Sequence, residues 1–129
     1  MIKLNNVMKE FNDGSKDVMV LHPTTLTIKE AEFSAIVGPS GSGKSTLLTI
    51  MGALQTPTEG TVIIEDEDVS TLTEQALSDL RFHTLGFILQ ASNLVPYLTI
   101  KEQFEMKAKK AKLKDADARI ENLLEKATK

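Results

Sequence analysis

Gly38-Pro39-Ser40-Gly41-Ser42-Gly43-Lys44-Ser45-Thr46 decides how the rest of this chain is read. The run fits G-x-x-x-x-G-K-[ST], with Gly38, Gly43, Lys44 and Ser45 in the fixed positions. A triphosphate needs many donors crowded around it, and glycines let the backbone wrap it with N–H groups pointing inward. Lys44 is then placed to reach the β- and γ-phosphates, and the Ser45 hydroxyl to ligate Mg²⁺. A helix starting here aims its positive dipole end at the phosphates. The motif requires a strand before it and a helix after it. Phe33–Val37, short and mostly apolar, reads as a buried strand ending at Gly38. Leu47, Leu48, Ile50, Met51 and Leu54 suit a buried helix. A flexible Gly/Ser turn is the rival reading, and both flanks argue against it.

Length and composition bound the rest. A chain of 129 residues is one domain or less, and 41% hydrophobic residues suffice for a globular core. No apolar run is long enough to cross a bilayer, and the first residues lack the apolar stretch of a signal peptide. Cysteine is absent and histidine occurs twice, which argues against disulfides and a structural zinc site. Residues 1–99 carry a net charge of −6 and residues 100–129 a net charge of +3. In the basic tail, acids alternate with bases, the pattern of a solvated helix face, so no nucleic-acid partner is expected.

In chain order, Ile2–Met8 reads as a first strand and Asn12-Asp13-Gly14-Ser15 as a turn. Leu26-Thr27-Ile28 reads as a second strand, with hairpin-like spacing. Thr56–Gly60 is a turn, and Thr61–Glu65 is a strand rich in β-branched residues. The acidic run Glu65–Asp68 reads as a solvated turn, because adjacent carboxylates do not readily converge on a metal. Thr71-x-x-Glu74 is a capping box opening a helix to about Arg81, and Leu85–Leu89 is a strand ending at Gln90. Thr99-x-x-Glu102 is a second capping box, followed by Ile100, Phe104, Ala108 and Ala111 on one helical face. Asp115 caps a final helix with Ile120, Leu123, Leu124 and Ala127 on one face. His22 and His83 read as surface or boundary residues.

Together, Gly38–Leu48, Pro57-Thr58-x-Gly60, Asp68-Val69, Arg81, Gly86-Phe87-x-x-Gln90 and Asn93-Leu94-x-Pro96-x-Leu98-Thr99 resemble the nucleotide-binding subunit of ATP-binding-cassette (ABC) transporters. Within that superfamily the chain looks most like the ATPases of lipoprotein-release, macrolide-export and antimicrobial-peptide-export systems. The resemblance runs from Leu4 to about Glu125, and the Gly-Phe-x-x-Gln run is its more discriminating part.

The resemblance implies an α/β fold, a P-loop NTPase of ABC type, of which this is the N-terminal part. An antiparallel β subdomain with the P-loop strand and helix comes first, then the start of the helical subdomain. Residues 1–98 would form the ATP-binding core (A-loop, Walker A, Q-loop strand) and residues 99–129 the start of the helical subdomain. It also implies ATP and Mg²⁺ as cofactors. The phosphates would be held by the backbone of Gly38 and of Ser40, Gly41, Ser42, Gly43, Lys44, Ser45 and Thr46. Thr46 would lie near the α-phosphate, and Phe11 would stack on adenine. Gln90 would act as the Q-loop glutamine, touching Mg²⁺ together with Ser45 and sharing the catalytic role with Lys44. Phe11 as a partly buried strand-end residue, and Gln90 as a capping or surface residue, are the bland alternatives.

Ala91–Tyr97 would meet a membrane permease, with Leu94, Val95 and Tyr97 as interface residues; the rival is that these pack under the tail helices. The working form would be a homodimer, cytoplasmic and peripheral on the inner face of the membrane. Two departures stand out: Ala31 where the family has Gly, and Gln103 where it has Asn. No Leu-Ser-Gly-Gly run occurs, nor an apolar strand ending in Asp-Glu after residue 65. The expectation is therefore the N-terminal part of an ABC ATPase, artificially shortened or a shortened gene product, hydrolysing ATP only when complete. The P-loop strand would lack its sheet neighbours. A truncated nucleotide-binding or regulatory module without hydrolysis is the alternative, and a soluble ABC ATPase of DNA repair or translation a weaker third.

Overall fold

The computed structural model describes residues 1–91 and 93–128. Ser92, inside the expected docking stretch, and Lys129 lie outside the described residues. The chain forms two compact units, Met1–Phe87 and the part from Ile88 onward.

The first unit is built on a sheet of β1 (Ile2–Asn12), β2 (Asp17–Ile28), β3 (Glu59–Ile64) and β4 (Glu67–Asp68), in the order β2-β1-β3-β4. All three pairings are antiparallel. Helix α1 (Lys44–Met51) packs on this sheet, and α2 (Glu74–Thr84) follows a 3₁₀ turn at Val69–Thr71. Leu4, Val7, Leu21, Val62 and Ile64 from the strands meet Leu47, Ile50 and Met51 from α1. Each such burial contributes roughly 1.5–3 kcal/mol relative to exposure.

Leu4 and Val7 are both fully buried although three residues apart, which strict alternation forbids. Asn6, in left-handed backbone (φ 49°), supplies the extra residue of a bulge and restores the inward parity. Thr25 Oγ1 accepts the Asn6 N–H at 2.9 Å. β2 begins nine residues earlier than the Leu26–Ile28 expectation, because Pro23 disguises it. β2 is an edge strand, and the pairing skips from Thr24 to Leu21, so Pro23 has no ladder bond to lose.

Two expected strands are absent. Phe33–Val37 and Leu85–Leu89 join no ladder among the described residues. Phe33 is 97% exposed, Val37 88% and Ile88 99%. The residue types favour a buried strand, but a strand exists only where a neighbour supplies backbone bonds. Among the described residues neither segment pairs with any strand of the β2-β1-β3-β4 sheet.

Smaller corrections are local. Leu48 and Leu54 are about half exposed, since α1 turns only Leu47, Ile50 and Met51 inward. The α2 cap is Thr73, whose hydroxyl accepts the Ala76 N–H, rather than Thr71. Asp68 caps the 3₁₀ turn and Thr71 Oγ1 bonds the Asp68 carbonyl, so the helix starts two residues later. The acidic run is a turn only over Glu65 and Asp66, both left-handed, which join β3 to β4; Glu67 and Asp68 form β4 itself, and the N-terminal amine of Met1 pairs with Glu65.

α1 ends in a Schellman motif, with Leu54 N–H bonded to Thr49 C=O and Ala53 N–H to Ile50 C=O. The left-handed position is Ala53 (φ 52°) and not Gly52 (φ −82°). A Cβ on Gly52 would sit 2.5 Å from the Phe87 ring, so that glycine serves packing rather than the turn. Arg81 Nη1 donates to the Ala53 carbonyl at 2.7 Å and anchors the helix end.

Ala31 adopts φ 57° in the turn closed by Glu32 N–H on Lys29 C=O. The Glu32 carboxylate accepts the Lys29 N–H and the Ser34 hydroxyl, which hold its carboxyl below the usual range. Ala31→Gly is expected to raise stability by about 1 kcal/mol by removing the left-handed strain. A thermal unfolding midpoint equal to or below that of the parent would refute this.

The second unit holds α3 (Ile100–Lys110) and α4 (Ala116–Ala127), packed on each other, with Ala108 and Ile120 as its buried residues. Thr99 and Glu102 form the expected reciprocal capping box. The Thr99 backbone N–H and hydroxyl hold the Glu102 carboxyl below its usual range. Asp115 occupies the α4 cap position but makes no side-chain cap bond, because its backbone is left-handed (φ 57°). Ile100, Leu123 and Ala127 are exposed rather than inward.

Candidate nucleotide-binding site

The Gly38–Thr46 loop folds against β2. Gly41 (φ 78°) and Gly43 (φ 81°) bend the backbone where other residues strain, and Gly43 is the cap of α1. A Cβ on Gly43 would stand 2.5 Å from the Val20 carbonyl, so only glycine lets the loop come this close to the β2 backbone. On Gly38 it would meet Ser42 Oγ at 2.8 Å; on Gly41 it would meet nothing, and only conformation demands glycine there. Val20 and Ser40–Thr46 line a cavity of about 270 Å³.

Lys44 Nζ donates to the carbonyls of Gly38 (2.8 Å) and Pro39 (2.6 Å) and to Ser42 Oγ (3.3 Å). The ammonium thereby bridges the loop's start to the helix's first residue. The first-turn N–H groups of α1 have no intrahelical acceptor, and no acidic residue lies in that turn. Dipole and ammonium both favour an anion here. The donor set therefore fits a polyphosphate. Ser45 is exposed at the second helical position. Among the described residues no cluster of three or more His, Asp or Glu side chains exists to hold a metal. A Mg²⁺ would depend on Ser45 and on the phosphates themselves, an arrangement that suits this ion.

Phe11 lies on β1 opposite Val18, two residues along β2 from the cavity-lining Val20. Its ring is 41% exposed, and the Lys9 ammonium lies 5.3 Å from its centroid. Val20 carries no motif signal; only the packing of the loop on β2 reveals it. Gln90 is exposed and belongs to the second unit, as do Leu94 and Tyr97, also exposed, and half-buried Val95. His22 and His83 are exposed.

The family profile described as "ABC transporter" matches residues 21–129. The chain is 48% identical over 108 residues to the macrolide export ATP-binding/permease protein MacB of Brucella abortus (strain 2308), covering 84% of this chain and 17% of that protein. It is 44% identical over 108 residues to the lipoprotein-releasing system ATP-binding protein LolD of Shewanella denitrificans, covering 84% and 46%. Among solved structures it is similar to the dimeric post-hydrolysis state of the ATP-binding cassette MJ0796 bound to ADP and Pi. That protein is from Methanocaldococcus jannaschii. The match has a TM-score of 0.87 and 39% identity, and it covers 97% of this chain and 55% of that one. The chain thus spans about half the length of these relatives or less. With a matching profile over most of its length and a shared cassette fold, the chain belongs to the ABC transporter family.

Proposed function

We propose that this chain is the ATP-binding part of an ABC transporter of export type. The observation that carries the proposal is the Gly38–Thr46 loop, folded on Val20, with Lys44 and the first-turn N–H groups of α1 around one cavity. The backbone of Gly38 and of Ser40–Thr46 would cradle the phosphates, with Thr46 nearest the α-phosphate. Lys44 would neutralise the terminal phosphates, and Ser45 would hold Mg²⁺. Phe11 would stack on adenine, giving up the Lys9 ammonium on its ring. Gln90 would contact Mg²⁺ and the attacking water. The names of the relatives support the export direction, and the dimeric MJ0796 structures support a homodimer. Ala91–Tyr97 would dock on a membrane permease, which would place the protein on the cytoplasmic face. Among the described residues no helix is long and apolar enough to cross a membrane.

Calorimetric titration of the full-length protein with ATP and Mg²⁺ should give saturable binding that weakens when EDTA removes the cation. No saturable heat, and no displacement of a fluorescent ATP analogue, would overturn the reading.

A further inference from the structure

A tight turn precedes α3. Leu98 N–H donates to the Val95 carbonyl at 3.1 Å, leaving Pro96 and Tyr97 as the two central residues. Proline pre-sets φ at the first of these positions. The turn bond uses the Val95 carbonyl and the Leu98 N–H, so the Val95 N–H and the Leu98 carbonyl need other partners. Gln103, one turn into α3, serves both. Its Oε1 accepts the Val95 N–H at 3.0 Å, and its Nε2 donates to the Leu98 carbonyl at 3.3 Å, each in a part-buried setting. Only a primary amide offers an acceptor and a donor side by side, and asparagine is one methylene shorter.

The Thr99–Glu102 capping box fixes the next residue. The turn is thus tied at both ends to a capped helix, while Tyr97 at its apex is 86% exposed and neighbouring Leu94 is exposed as well. Residues 91–99 contain no charged side chain, whereas residues 100–129 carry nine basic and six acidic ones. An uncharged, aromatic apex on a pre-ordered backbone suits an apolar partner surface, because little ordering remains to be done on binding.

We infer that Gln103 is a positioning residue: it holds the Val95–Leu98 turn so that Tyr97 and Leu94 are presented ready-made to the membrane subunit. The inference rests on the docking reading of Ala91–Tyr97 proposed above.

The test uses the full-length protein and its membrane subunit in lipid nanodiscs. Gln103→Leu keeps the side-chain size and removes both bonds. It should weaken association about tenfold, the size expected for two lost backbone bonds, and speed hydrogen exchange of the segment 93–99. ATP affinity and turnover without the membrane subunit should not change, a split that general unfolding would not produce. Gln103→Glu keeps the acceptor for Val95 but sets a carboxylate oxygen, which cannot donate, against the Leu98 carbonyl, so it too should weaken association and speed exchange at 93–99. Faster exchange at 93–99 with unchanged association would overturn the inference, as would unchanged exchange. If Gln103→Leu fails to fold, Gln103→Glu is judged by the same two readouts. Tyr97→Ala separates the two levels. Normal association of Tyr97→Ala would sink the docking reading itself, while its failure beside a normal Gln103→Leu would sink only the role of Gln103.

Discussion

Lys44→Ala is expected to lower ATP affinity by about 100-fold or more, the size of two charge-assisted bonds to phosphate lost together. In the ligand-free geometry the ammonium rests on the carbonyls of Gly38 and Pro39 and on Ser42 Oγ, at the rim of the loop's cavity. Those acceptors are neutral carbonyls and a hydroxyl, so a polyphosphate, which is anionic, can compete for the ammonium on its flexible stem. Below the loop, Leu47, Ile50 and Met51 anchor α1 in the core and do not depend on Lys44. The variant should therefore unfold at nearly the parental temperature while failing to bind. Lys44→Met removes the charge at similar length and should behave alike. The decisive measurement is a calorimetric titration of parent and variants in the full-length protein. Parental affinity in Lys44→Ala would mean that the loop is not the phosphate site.

The largest effect on stability should come from Gly60→Ala. Gly60 has φ 89°, and a Cβ there would collide with the Asn6 carbonyl oxygen and stand 2.6 Å from Val7 Cα. All of these are backbone atoms, so no side chain can rotate away. They also belong to the bulge that turns both Leu4 and Val7 into the core. To admit one methyl group, β1 and β3 must separate or the bulge must reshape. Left-handed strain and the clash together should cost about 3 kcal/mol or more. Gly14, with φ 89° and open space around it, isolates the strain alone: Gly14→Ala should cost about 1 kcal/mol. Denaturant unfolding of the two variants decides, and equal losses would show that the Asn6–Val7 contact imposes nothing.

These two sites differ in how they were legible. The phosphate loop could be read at once, because its chemistry is local: glycines for curvature, lysine for charge and serine for a metal all lie within nine residues. Gly60 could be seen only as a turn glycine, since the atoms it must avoid lie more than fifty residues away in sequence. The Ala31 departure was legible as a backbone cost conditional on a left-handed turn, and the turn is left-handed. Gln103 was visible as a departure, but its two bonds to the preceding turn depend on how the chain folds back before α3. Phe33–Val37 and Leu85–Leu89 show the opposite case. Their apolar runs read as strands, yet a strand is a relation between segments and not a property of one.

By itself the sequence determined the elements whose causes lie within a turn or two of chain. The glycine-rich loop and the helix after it, the Thr99–Glu102 cap and the acidic hairpin turn are all of this kind, because short-range hydrogen bonds and backbone preference specify them. Only the tertiary structure decided which apolar residues are buried, that Val20 walls the cavity, that Gly52 clears space for Phe87, and that Asn6 bulges to carry Val7 inward. Each of these depends on atoms brought close by packing, and packing distances are not written in sequence separation.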